Sequence, residues 1–464
     1  MSTNTIRNNP PAYRPPTGAP WWIWVLVGGC GLMIVGMLIK RVSPEDGAVL
    51  YKQALDAGEA GDRDLMMQRV EQLRQYPAYS GHVNFLEGVN FLGRSAPLKA
   101  IPLLKKATET PEVRSKATLS LGRAYGTAGQ LDAAIKTLES VSDDPEDGKN
   151  AIFVAAGMLA SSQAWDAAVE KLRTLEKAGF QKPSVLYQLA EIEFDRGNHA
   201  EAEKLYIAAI DAYPADPTNS VKASKLLDCR IQLGTMANSD KYINMLDNQM
   251  TSGMYRAESL MAEGKLKEAR AAIDRSMRES EGNPALGFLR GKLALAENTP
   301  DAAKQVLPEV LVASMAFPRA LDGMRVTAKV AALAGDSELA DKARQNVEAL
   351  EAIRAQMREL MPTVGSSYTD LEVRYKLAQL ALECGESELT QKVFRGLLLF
   401  HPELEGELMQ RRMKMEESLP ILVPFGREVS LPTNRGRLNE PPPSEPPPAG
   451  APFQRPPVDP QPPK

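Results

Sequence analysis

Residues 115–148 read SKATLSLGRAYGTAGQLDAAIKTLESVSDDPEDG, and residues 183–216 read PSVLYQLAEIEFDRGNHAEAEKLYIAAIDAYPAD. Laid over one another, the two stretches share a small residue at position 8 (Gly122, Ala190), alanine at position 20 (Ala134, Ala202) and a large residue at position 24 (Leu138, Tyr206). The same register extends to segments beginning at 47, 81 and 149. There position 8 is Ala54, Gly88 and Ala156, and position 24 is Val70, Leu104 and Leu172. Position 20 is Ala100 in the segment from 81 and Ala168 in the segment from 149. A fixed period of this length marks a repeat architecture. Small residues at positions 8 and 20 allow two antiparallel helices to cross closely, and large residues at 7, 11, 24 and 27 fill the space around the crossing. Gly129 and Gly197 fall between paired helices, and Pro214 ends a second helix. One hairpin cannot bury its apolar stripe alone, so neighbours must stack on it.

This pattern resembles the tetratricopeptide repeat, a helix–turn–helix unit with small residues at positions 8 and 20 and often proline at 32. The fullest matches are Leu121-Gly122…Tyr125…Ala134…Leu138 and Leu189-Ala190…Ala202…Tyr206…Pro214. Downstream the phase slips and the motif returns as Ala257…Gly264…Ala269…Ile273, Gly291…Ala303…Leu307, Ala328…Gly335…Ala340 and Leu377-Ala378…Gly385…Thr390…Phe394…Pro402. Residues 217–249 read as a degenerate pair and 347–361 as a lengthened helix or an insert. Position 4, commonly tryptophan in the family, is not tryptophan here. The resemblance implies an all-α solenoid, a right-handed superhelix of helical hairpins, over residues 42–402. A polar helix at 403–419 is expected to cap it.

Both ends of the chain have a different composition. Residues 21–39 read WWIWVLVGGCGLMIVGMLI, with no charge, and are long enough to span a bilayer's hydrocarbon core as a helix. Trp21, Trp22 and Trp24 mark one interface, and Lys40 and Arg41 mark the other. The expected layout is a disordered tail over 1–20, a single-pass transmembrane helix over 21–41, and then the array. Val27-Gly28-Gly29-Cys30 also resembles a bacterial lipobox, although the apolar run continues past Cys30; membrane anchorage would follow in either case. Arg7 and Arg14 on one side and Lys40, Arg41 and Lys52 on the other leave the orientation open. Ser43-Pro44-Glu45-Asp46 reads as a helix start directly after the span. Residues 420–464 read as a disordered Pro-rich tail, either a spacer or a ligand for aromatic-lined domains.

The balance of 55 Lys+Arg against 59 Asp+Glu lacks the basic excess of a nucleic-acid binder. Cys30, Cys229 and Cys384 are too scattered for a disulfide framework or a metal site. His82, His199 and His401 lie far apart, and no HExxH, phosphate loop, dinucleotide fingerprint or nucleophile elbow occurs. The chain is therefore read as a non-enzyme without cofactor or metal.

The resemblance also implies a concave groove lined by the first helix of each hairpin, with positions 2, 5, 9, 12 and 13 facing it. Position 5 is Tyr51, Phe85, Leu119, Phe153 and Tyr187, with Met254 and Phe288 in the later register, and Val89 and Phe194 share the face. The row Tyr51, Phe85, Val89, Leu119, Phe153, Tyr187, Phe194 and Phe288 is the candidate partner-binding surface. It suits an amphipathic helix or an extended apolar segment. Packing against the neighbouring hairpin is the other role such residues fill. The expected function is a membrane-anchored scaffold or adaptor for protein partners, chaperone-like or serving assembly of an envelope complex. The alternative is a non-catalytic subunit of a membrane-bound enzyme or biosynthetic complex.

Overall fold

A computed structural model describes residues 44–280, 283–366 and 370–426. The expected membrane helix at 21–41, Cys30 and the chain after residue 426 lie outside the described residues. Among the described residues every regular element is a helix, and none of these helices is long and apolar enough to cross a membrane.

The first helices are α1 (Pro44–Glu59), α2 (Arg63–Leu73), α3 (Ser80–Gly93), α4 (Pro97–Ala107), α5 (Arg114–Thr127) and α6 (Leu131–Glu139). They are followed by α7 (Gly148–Ser161), α8 (Trp165–Lys177), α9 (Lys182–Asp195) and α10 (His199–Ala212). Helices α3, α5, α7 and α9 begin at 80, 114, 148 and 182, and α2, α4, α6, α8 and α10 begin at 63, 97, 131, 165 and 199. The 34-residue period of the sequence is thus the spacing of helix starts. Gly129 and Gly197 turn between paired helices with φ of +78° and +79°, a conformation costly for a residue with a side chain.

The small residues sit where the pattern requires them. Ala100, Ala134, Ala168 and Ala202 are completely buried. A methyl group on Gly88 would lie 2.6 Å from the Leu104 side chain, and one on Gly122 would lie 2.5 Å from that of Leu138. Position 8 therefore receives position 24 of its own hairpin.

The later array is less regular. It comprises α11 (Asn219–Leu233), the four-residue α12 (Asp240–Ile243), α13 (Gln249–Ala262), α14 (Leu266–Glu279), α15 (Ala285–Glu297) and α16 (Pro300–Ala316). Then come α17 (Leu321–Ala334), the 30-residue α18 (Ser337–Ser366), α19 (Leu371–Glu383), α20 (Ser387–Phe400) and α21 (Glu405–Glu417). Asp62, Asn248, Thr299 and Asp370 cap α2, α13, α16 and α19, each accepting a hydrogen bond from an otherwise orphaned backbone N–H.

The described residues divide into two compact units, with the boundary between Val83 and Asn84 inside α3. In the first unit Gly47 lies against the Tyr79 ring, and Tyr51 meets His82 edge-on at 4.6 Å between ring centres. In the second unit one apolar core joins residues of α7–α12 to residues of α18–α21. After α21 the chain does not leave the fold at once. Residues 420–426, expected as the start of the disordered tail, run without regular structure, with Leu422 and Phe425 packed against α17 and α18.

Candidate interaction surface

Helices α5, α7, α9 and α11 are the first helices of successive hairpins, and each meets a single element, α20. Glu388 at the start of α20 pairs with Lys225 of α11 at 2.5 Å. One turn on, Lys392 pairs with Asp195 of α9 at 2.8 Å and with Glu191 at 3.3 Å. One turn further, Gly396 approaches the end of α7, where an added methyl would lie 2.2 Å from the Ser161 carbonyl oxygen. Leu399 and Pro402 then meet Gly129, just after α5. Positions 388, 392, 396 and 399 share one face of a helix, so α20 crosses four inner helices in reverse chain order.

The neighbouring α19 is held by a buried cation. Arg374 is 2% exposed and donates two hydrogen bonds, from Nε and Nη2, to the carbonyl of Ser162, just past the end of α7. That carbonyl belongs to the negative end of α7, where a guanidinium is favoured. Burial lowers the Arg374 pKa to about 10, so the side chain stays charged at neutral pH.

The electrostatics of α20 set desolvation against ion pairing. Burial pushes Asp195 up to about 6, and the Lys392 ammonium only partly offsets it. Lys392 itself is raised, because Asp195 and Glu191 outweigh the cost of burying the ammonium. Glu191 also accepts a hydrogen bond from Tyr206 Oη, linking the position-24 residue of its hairpin to α20. Glu388 is lowered, since hydrogen bonds from Lys225 and Lys392 outweigh its burial.

The eight candidate residues are all buried or half-buried within the chain. Tyr51, in the first unit, has its pKa raised to about 12 by burial. Phe85, Leu119 and Phe153 are each less than a tenth exposed. Phe153 lies 6.3 Å from Phe180, and Tyr187 lies 6.1 Å from Tyr206 with the Lys222 ammonium over its ring. Phe194 meets His199 edge-on and carries Lys225 over its face at 4.7 Å. The Phe288 ring fills the space beside Gly323, and Val89 is half-buried. Phe153 shares a core with Val393, Phe394 and Leu397 of α20, and Tyr187 and Phe194 pack against that core.

Sequence reading missed Lys225, Arg374 and Lys392. Glu191 and Asp195 stand at positions 9 and 13 of the hairpin from 183, positions that face the groove by the family resemblance, and that was the available signal. Cys229 and Cys384 are buried, which raises their thiols to about 12 and about 11. Among the described residues no group of histidine, cysteine and acidic side chains is arranged to hold a metal ion.

The hairpin array is similar to tetratricopeptide repeats. A family model described as tetratricopeptide repeat matches residues 159–217, from the end of α7 past α10. Comparison with curated proteins finds no match. Among solved structures, a tetratricopeptide repeat protein from Parabacteroides merdae aligns at 13% identity over 54% of this chain and 99% of its own, with a TM-score of 0.35. Yeast Tom70 aligns at 14% identity over 81% of this chain and 92% of its own, with a TM-score of 0.28. The Naa15/Naa10 complex bound to HypK-THB aligns at 14% identity over 80% of this chain and 71% of that one, with a TM-score of 0.33.

Proposed function

We propose that this chain is a membrane-tethered, non-catalytic scaffold that engages protein partners through the inner face of its hairpin array. One observation carries the proposal: α5, α7, α9 and α11 together already take up an amphipathic helix, the chain's own α20. Helix-in-groove recognition needs a row of apolar seats and a few charged anchors to set register. Both are present, as the core around Phe153 and as the Lys392–Asp195–Glu191 and Lys225–Glu388 contacts. In this proposal a partner helix uses the same face, and Phe153, Tyr187 and Phe194 become its apolar floor once α20 moves aside. Residues 21–39 supply the bilayer anchor, and the work is chaperone-like or serves assembly of an envelope complex.

Two measurements on the full chain test this. Alkaline extraction of membranes should leave the protein in the pellet and should release a variant lacking residues 21–39. Site-specific crosslinking from position 187, on the proposed face, followed by capture from a detergent extract, should return one or a few proteins in stoichiometric amounts. Recovery of no crosslinked partner, or release of the intact chain by alkali, would refute the corresponding half.

A further inference from the structure

The segment after α21 is held in a manner that reads main chain rather than side chains. The Asn346 amide on α18 donates from Nδ2 to the Val423 carbonyl at 3.0 Å and accepts at Oδ1 from the Val423 N–H at 2.7 Å. Arg319, in the turn before α17, donates from Nη2 to the Pro420 carbonyl at 2.6 Å. Leu422 and Phe425 seat against Leu321, Met324, Val347 and Leu350, while Ile421 is 96% exposed. Three main-chain hydrogen bonds and two apolar seats three residues apart thus hold residues 420–426.

Asn346 is the informative residue. It is 2% exposed on a helix whose other buried positions nearby are apolar. A buried amide without partners is strongly unfavourable, whereas an apolar residue there would pack without penalty. Its two polar atoms find both their partners on one residue of a segment without regular structure, and any residue with a backbone N–H could supply them. Pro424 follows that residue directly and biases it toward extended backbone, and Pro420 fixes its own φ at the start of the segment, which lowers the entropy lost on docking.

We propose that the groove between α17 and α18 is a receptor for an extended peptide, and that residues 420–426 occupy it in cis. The ligand in trans is a partner segment with large apolar side chains at two positions three residues apart and a free N–H on the residue after the first. This site is separate from the inner face crossed by α20. Tethering places the resident segment at an effective concentration of roughly millimolar or higher, so a partner competes poorly until that segment is displaced.

The test uses a fluorescent peptide with the sequence of residues 419–427, LPILVPFGR, and the full chain in detergent. The double variant Leu422→Asp, Phe425→Asp ejects the resident segment without touching the groove. It should bind the peptide about tenfold more tightly than the unaltered chain, or better still. N-methylation of the peptide valine, which deletes the N–H that Asn346 accepts from, should cost about tenfold or more without altering the protein. Asn346→Ala in the double variant should reproduce that loss, with the melting temperature measured beside it. The proposal is overturned if the double variant binds no better than the unaltered chain, or if the N-methylated peptide binds equally well.

Discussion

Arg374 and Ser162 are 212 residues apart in the chain, and the guanidinium of one donates two hydrogen bonds to the carbonyl of the other inside the second unit. Arg374→Met keeps much of the apolar stem and leaves the carbonyl at the end of α7 unpaired. The expected loss is about 1–3 kcal/mol in urea unfolding. Arg374→Lys should recover only part of it, because an ammonium cannot reproduce the planar fork. Equal stability of all three proteins would contradict this account of how α19 is held.

Gly396 and Gly406 make an internal comparison. A methyl on Gly396 would meet the Ser161 backbone oxygen at 2.2 Å, whereas one on Gly406 meets nothing within 4 Å. Gly406→Ala should be neutral or raise stability by about 0.5–1 kcal/mol, since alanine is the better helix former. Gly396→Ala should lower it by about 1–3 kcal/mol through overpacking and speed hydrogen exchange along α20. Melts of the two variants ranked in the opposite order would mean that α20 does not cross α7 this closely.

Asp195 predicts a pH signature. Its folded pKa, about 6, lies above the unfolded value for an aspartate, so the folded state holds the proton more tightly between those limits. Its contribution is therefore complete at low pH and declines as pH rises toward about 6, because ionisation costs more in the fold than in the unfolded chain. Relative to Asp195→Asn, the unaltered protein should lose stability from pH 4 to pH 6 and change little above that. Paired thermal melts across this window check the sign, and a difference that grows in favour of aspartate with rising pH would contradict it.

Phe85→Ala with Phe153→Ala probes the aromatic row. Each ring is less than a tenth exposed, so truncation opens a cavity in packed interior. Losses of about 3–5 kcal/mol each are expected, with the melting temperature falling steeply. Partner capture would then fall together with stability. A double variant that melts within a few degrees of the parent would instead assign these rings to an open binding face.

The repeat was legible because its determinants are local. Gly122 and Leu138 lie 16 positions apart within one hairpin, and their contact recurs each period, so the pattern repeats along the chain. The aromatic row was legible as a row, while its surroundings were not. Whether Phe153 faces a partner, a neighbouring hairpin or a distant helix depends on what arrives over it, and position 5 looks the same in each case.

By itself the sequence determined the all-helical hairpin architecture, the 34-residue spacing and the close crossings at glycine and alanine. Those follow from backbone sterics and from apolar stripes that must be covered by the next hairpin. Only the tertiary structure decided that α20 lies across α5, α7, α9 and α11, that α19 is tied to the end of α7, and that residues 420–426 bind beside α18. Lys392 finds Glu191 and Asp195 about two hundred residues upstream, and Asn346 finds Val423 77 residues downstream. A lone lysine, arginine or asparagine in a helix carries no period and no local partner. Its role exists only once folding has brought an opposite charge or a free backbone edge within hydrogen-bond reach.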